Sequence, residues 1–82
     1  MSFYFYLARC ADGSLYAGSC NDLAKREAVH NQGDGAQYTR LKRPIKIIYS
    51  EIFKTLVEAR RREKQIKGWR REKKEKLIQN LL

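Results

Sequence analysis

Residues 3–20 read FYFYLARCADGSLYAGSC. Two apolar runs, 3–10 and 14–20, flank the polar triplet Ala11-Asp12-Gly13. That triplet is a three-residue hairpin loop, a type I turn followed by Gly13 in the left-handed region. An odd loop fixes the register. Cys10 faces Ser14, Ala8 faces Tyr16, Tyr6 faces Gly18 and Tyr4 faces Cys20. One face of the hairpin then carries Phe3, Phe5, Leu7, Leu15 and Ala17, the expected core face. The other carries Tyr4, Tyr6, Ala8, Tyr16 and Gly18. A two-residue loop would separate Tyr6 from Tyr16, because a slip of one residue turns every side chain to the opposite face. The same register sets the two cysteines roughly 20 Å apart at about 3.3 Å per residue, too far for a disulfide.

Asn21 or Asp22 can cap a helix that runs to His30 or Asn31, and Gly33 and Gly35 break it. Residues 32–43, QGDGAQYTRLKR, read as a polar, basic loop. Pro44 opens a third strand, Ile45 to Phe53, with Ile45, Ile47 and Tyr49 on one face. Thr55 and Glu58 form a capping box for a helix that ends at Gly68. A last helix is expected from Arg70 to Leu82. Its first half, RREKKEK, reads as a solvated face, and Leu77, Ile78, Leu81 and Leu82 read as core or as a docking surface. The order is β-β-α-β-α-α. The class is α+β, a small three-stranded antiparallel sheet flanked by helices, in one domain spanning residues 1–82.

Composition narrows the partners. The chain has 82 residues, of which 18 are Lys or Arg and 9 Asp or Glu, for a formal charge of +9. Such an excess favours a polyanion, and nucleic acid is the commonest one. No apolar run of about 18 residues exists to cross a membrane. The N-terminal stretch lacks a basic segment and alternates like a strand, so a cytoplasmic protein without a signal peptide is expected. Cys10, Cys20 and His30 do not reach the four ligands of a structural zinc site.

Glu63 breaks the helical pattern, because it shares a face with the apolar Leu56, Ala59 and Ile66. Glu58 serves the cap, and Glu72 and Glu75 lie among lysines, so Glu63 alone is expected to point inward. A buried carboxylate requires an ion pair or a metal, and one of the many arginines is the alternative to a metal. Arg26 and His30 stand at i and i+4 and share a helix face, either as a solvated basic face or as site residues. Tyr6 and Tyr16 share a hairpin face with small neighbours, either as packing or as a ligand surface. Gly18 within a strand suggests close approach of another group.

The segment YLARCADGSLYAGSCNDLAKREAVHN resembles the opening of a GIY-YIG nuclease domain of the small stand-alone bacterial type. Tyr6 stands at the first tyrosine motif, and Tyr16-Ala17-Gly18 at the second. Arg26 and His30 match the arginine and histidine of the following helix, the latter within RxxxHN. The stretch EARRREKQIK supplies Glu63 at the family's metal-binding glutamate. QYTRLKRP and EKQIKGW also match the stand-alone subgroup. The first motif reads Phe5-Tyr6-Leu7, without its usual glycine and isoleucine, and Ala17 replaces an isoleucine in the second. The family's late asparagine has only Asn80 as a counterpart.

The resemblance implies an endonuclease that hydrolyses phosphodiesters with one Mg²⁺ or Mn²⁺ ion held by Glu63. It implies Tyr6 as proton acceptor, Tyr16 and Arg26 on water and phosphate, and His30 in support of Tyr6. Tyr38, Arg40, Lys42, Arg43, Arg61 and Lys64, with Arg60 and Arg62, are expected to track a nucleic-acid backbone, DNA rather than RNA, by structure rather than sequence. A protein partner that supplies substrate specificity is also expected, and two rival functions remain, a non-catalytic nucleic-acid-binding module and a nuclease subunit that is active only with a protein partner.

Overall fold

The Ala11-Asp12-Gly13 triplet closes by local hydrogen bonds. The Asp12 carboxylate accepts from the Ser14 N–H (3.0 Å) and hydroxyl (2.6 Å). Gly13 takes a φ of +85°, where a side chain would be strained. The Cys10 N–H donates to the Ser14 carbonyl at 2.9 Å. A computed structural model describes residues 1–33 and 40–80 of the chain. In it β1 (Phe3–Arg9) and β2 (Leu15–Cys20) pair antiparallel, with Tyr4 opposite Cys20, Tyr6 opposite Gly18 and Ala8 opposite Tyr16. The register is the one that the odd loop dictates. Both cysteines are free and buried.

A third strand, β3 (Lys46–Phe53), pairs antiparallel with β1, giving the order β2-β1-β3. Three helices among the described residues follow the expected order: α1 (Leu23–Asn31), α2 (Leu56–Lys67) and α3 (Arg71–Ile78). Asp22 caps α1 by accepting from the Lys25 N–H at 3.0 Å, and Thr55 caps α2 by accepting from Glu58 N–H at 3.2 Å. Gly68 ends α2.

Both faces of the sheet are covered, and the tyrosine face forms a second core. Phe5, Leu7 and Ala17 pack with Ile66 of α2 and Leu77 of α3. Tyr6, Ala8, Cys10, Cys20 and Ile45 form the other cluster, with Leu23 of α1 at its margin. Complete burial of a side chain such as Phe5 or Leu7 contributes about 1.5–3 kcal/mol. The edge strand β3 is fastened to α1 by polar side chains. Asn31 accepts from the Ile45 N–H (2.6 Å) and donates to its carbonyl (2.9 Å), and Glu27 accepts from the Ile47 N–H (2.8 Å). These bonds occupy edge groups that would otherwise invite another strand.

Three expectations need correction. Ile45, Ile47 and Tyr49 do not share a face. Ala8 pairs with Ile47 but Leu7 pairs with Tyr49, so Ile48 is an extra residue, a β-bulge that reverses the alternation. Ile45 and Ile47 therefore join the α1 side, while Tyr49 packs edge-on against Phe5 with centroids 6.4 Å apart. The stretch RREKKEK is only partly solvated. Glu75 receives two hydrogen bonds from Arg9 (2.7 and 2.8 Å), and Arg71 donates to the Gly13 carbonyl at 2.8 Å, tying α3 to the hairpin loop. The last helix ends at Ile78, with Asn80 in the left-handed region at φ 60°. Leu77 and Ile78 pack into the core, while Leu81 and Leu82 lie outside the described residues.

Arg9 and Arg71 hold the Glu75 carboxyl below its ordinary range, against the opposing effect of burial. Hydrogen bonds from Arg62 and Tyr49 do the same for Glu51, although burial pushes it the other way. A depressed folded-state pKa gives stability that is present above the unfolded value and lost as pH falls through the folded one. Unfolding followed by circular dichroism is expected to show stability declining below about pH 4.5. Glu75→Gln is expected to lower stability by about 1 kcal/mol at neutral pH and to flatten that decline.

Candidate active site at the edge of the sheet

Tyr6 leaves β1 on the α1 side, directly opposite Gly18. Its ring lies across that glycine so closely that a Cβ on Gly18 would stand 2.5 Å from the Tyr6 hydroxyl oxygen and 2.6 Å from Cζ. The absence of a side chain at 18 is what lets the phenol lie there. Its hydroxyl meets Nε2 of His30, in the last turn of α1, at 2.9 Å. Tyr6 and His30 are each only 1% exposed. The Tyr16 ring completes the group, with its centroid 6.4 Å from Tyr6 and 5.4 Å from His30.

Burial raises the Tyr6 hydroxyl pKa well above the usual tyrosine range, and Tyr16 adds to the shift while Arg26 opposes it. Burial and then the positive charge of Arg26 lower that of His30. The imidazole is thus held neutral at neutral pH, with a ring nitrogen able to accept a proton. Arg26 lies one helical turn before His30. It is exposed, with no ion-pairing carboxylate among the described residues. It lines an open cleft of about 220 Å³ together with Ser19 and Arg60.

Glu63 approaches from α2 on the other face of the sheet. One carboxylate oxygen accepts from the Ser19 hydroxyl at 2.8 Å, and the other pairs with the Lys67 ammonium at 2.8 Å. Its side chain is 22% exposed, and its charge is felt at the Tyr6 hydroxyl. Lys67 also lies 5.9 Å from the centre of the Tyr16 ring. The expectation that Glu63 alone points inward is too narrow, because Glu51 and Glu75 are about as sheltered, each in an arginine pair. The ion pair that Glu63 makes is with a lysine one turn onward, not with an arginine.

The structure thus brings Tyr6, Tyr16 and His30 into mutual contact and sets Arg26 and Glu63 within electrostatic reach of Tyr6. Ser19 and Lys67 escaped the sequence reading. Ser19 could have been found from the register, which places it opposite Phe5 on the face that α2 covers, and Lys67 from its i+4 spacing to Glu63.

The expected backbone-tracking residues divide. Arg40, Arg43, Arg60, Arg61 and Lys64 are exposed. Lys42 pairs with Asp12 at 3.0 Å. Arg62 is not a free cation, since two hydrogen bonds bind it to Glu51 and its guanidinium stacks 5.5 Å from the Trp69 ring. Tyr38 and Gly35 lie outside the described residues.

No group of three or more His, Cys, Asp or Glu converges among the described residues. The donor set around Glu63 is one carboxylate with the Ser19 hydroxyl beside it. That set fits a hard cation that keeps most of its waters and takes further ligands from a phosphate. It does not fit a site built wholly from protein ligands.

A family model described as the GIY-YIG catalytic domain matches residues 2–76. The chain belongs to the GIY-YIG family. It is 51% identical over 78 residues to a UPF0213 protein of Bacillus pumilus, covering 95% of this chain and 80% of that one. It is 49% identical over 75 residues to a UPF0213 protein of Staphylococcus saprophyticus, covering 92% of each. Among solved structures, the solution NMR structure of a UPF0213 protein from Bacillus halodurans matches with a TM-score of 0.61 at 38% identity, covering 96% of this chain and 84% of that one. A protein from E. faecalis matches with a TM-score of 0.64 at 40% identity, covering 98% and 85%. The GIY-YIG family is a family of nucleases, and the small α+β architecture is common to this chain and its solved relatives.

Two measurements check this geometry. His30 is the chain's one histidine, so its ring signals can be followed by NMR without overlap. Its midpoint is expected below 6.5, and stability is expected to fall below that pH because the unfolded chain binds the proton more readily. A midpoint above 6.5 would contradict the burial described. Gly18→Ala is expected to cost about 1–3 kcal/mol in denaturant unfolding through overpacking against Tyr6. Gly68→Ala, whose added carbon would meet its nearest neighbour at 3.6 Å, is expected to cost far less.

Proposed function

We propose that this protein is a metal-dependent endonuclease that hydrolyses phosphodiester bonds in nucleic acid, DNA before RNA, choosing its substrate by structure more than by sequence. The observation that carries the proposal is the buried 2.9 Å contact between Tyr6 and His30, flanked by a cation and a carboxylate on separate helices of a nuclease-family domain. A purely structural pair would not need the exposed Arg26, which has no ion pair among the described residues, beside it.

Tyr6 is the proton acceptor, with His30 behind it. Since burial raises the phenol's pKa, a free phenolate is not the working form. Instead the phenolic proton passes to Nε2 of neutral His30 as the phenol oxygen takes a proton from the attacking water. The water oxygen then bonds to phosphorus, and the bond to the leaving oxygen breaks. We place the water on the Tyr16 side, because Tyr16 keeps more exposure than Tyr6 or His30. Tyr16 orients that water and Arg26 binds the phosphoryl oxygens, where a guanidinium offers several donors in a fixed plane.

Glu63, braced by Ser19, holds one Mg²⁺ or Mn²⁺. When bound, the ion supplies Lewis-acid neutralisation of the phosphate and the leaving oxygen. Arg40, Arg43, Arg60, Arg61 and Lys64 supply phosphate contacts that carry little base information. The chain acts in the cytoplasm, and a protein partner supplies further substrate choice. No helix among the described residues is long and apolar enough to cross a membrane.

The test is cleavage of a panel of labelled DNA and RNA, single-stranded, duplex, flap and junction, with Mg²⁺ or Mn²⁺. Cuts that require the metal and fall at least about 100-fold in Glu63→Gln are expected. Tight, salt-sensitive binding without cuts on any substrate would instead identify a non-catalytic binding module.

A further inference from the structure

Lys67 has no role in the chemistry above, yet its ammonium takes one oxygen of the proposed metal ligand. Nζ stands 2.8 Å from Glu63, on the oxygen that Ser19 does not bind. The pair is i,i+4 on α2, and the Lys67 side chain is 51% exposed while that of Glu63 is 22% exposed. The ammonium is thus on the solvent side of a sheltered carboxylate, where an entering cation would approach.

We infer that Lys67 is a stand-in cation that neutralises Glu63 in the metal-free protein and is displaced when a divalent ion binds. The inference rests on Glu63 being the metal ligand. Without a counter-charge, a carboxylate sheltered against Ser19 is costly. An ammonium on the same side chain's neighbour removes that cost and leaves the site formed. A divalent ion needs a carboxylate oxygen at about 2.1 Å, and the ammonium on the solvent-side oxygen repels an ion that comes in by that route. Lys67 has somewhere to go. Its stem is flexible and half exposed, and the face of the Tyr16 ring lies 5.9 Å from Nζ, so a small swing keeps the charge against an aromatic surface. Among the described residues Lys67 is the cation that pairs with Glu63, and neither Arg26 nor Arg60 does. The device tunes metal affinity downward, so that the ion is held weakly until a substrate phosphate adds its own ligands.

The consequence is that removing Lys67 tightens metal binding in the absence of substrate, whereas a merely structural lysine would leave it unchanged or weaken it. The experiment is NMR of the whole 82-residue chain with increasing Mg²⁺ and no nucleic acid, following the Ser19 amide and the Lys67 side-chain carbons. Lys67→Met keeps the alkyl stem and removes the charge, and Lys67→Gln serves if that variant does not fold. In wild type the Lys67 side-chain signals are expected to move with the same midpoint as the Ser19 amide. In Lys67→Met that midpoint is expected to fall roughly fivefold, the scale of a partly exposed ion pair. An unchanged or higher midpoint, or Lys67 signals that stay still at saturation, would overturn the inference. Glu63→Gln separates the two levels. If it abolishes the Mg²⁺ response while Lys67→Met leaves the midpoint unchanged, Glu63 remains the ligand and only the displacement fails. If it retains the response, or if wild type has none at Ser19, the ligand assignment falls and the displacement with it.

Discussion

The contact between the Tyr6 hydroxyl and the His30 imidazole governs the layout of this molecule. It needs a strand residue and a helix residue 24 positions apart to meet inside a core. The hairpin loop makes this possible by placing Tyr6 opposite Gly18, where no side chain bars the ring from lying flat across β2. The helix must then bring His30 down to it. Asn31 and Glu27 achieve that by bonding the edge of β3, so that one helix turn of α1 is fixed to the far side of the sheet from β2. A loop one residue shorter would put Tyr6 and Tyr16 on opposite faces and break up the group around His30.

The sheet's two faces divide the labour. The α1 face holds the hydrogen-bonded Tyr6 and His30, and burial favours the uncharged form of each. The α2 face holds the charged ones, each sheltered carboxylate with its own cation: Glu51 with Arg62, Glu63 with Lys67, and Glu75 with Arg9. Two of these pairs join arginines in forked bonds that lock the fold. The pair at Glu63 is a single contact with a lysine, the more easily displaced arrangement. The edge of β2 is where the two faces meet, and there the charges of Arg26 and Glu63 both reach the Tyr6 hydroxyl.

Much of this was legible in the chain. A loop of defined length fixes the register, Asn21 or Asp22 and then Thr55 mark two helix starts, and the spacing of Glu63 among apolar positions sets it apart from the other helix carboxylates. The failures share a physical cause, which is that they depend on tertiary pairing. Alternation along residues 45–49 cannot register a bulge whose extra residue, Ile48, is defined only by what β1 presents. Glu75 reads as solvated until Arg9, 66 positions away, reaches it. Arg62 resembles its arginine neighbours in sequence and differs only in facing Glu51 and Trp69. Ser19 and Lys67 carry no unusual local signal, because a serine in a strand and a lysine on a helix are commonplace until both touch the same carboxylate.

The most direct test of the central claim is the single-turnover cleavage rate of Tyr6→Phe beside wild type, on whichever nucleic-acid structure wild type cuts. The substitution removes one oxygen and leaves the ring free to lie across Gly18 as before. The account predicts a folded protein that still binds substrate and cleaves it at least about 100-fold more slowly. A Tyr6→Phe rate within a few-fold of wild type would show that the buried pair holds the fold together and takes no part in the chemistry.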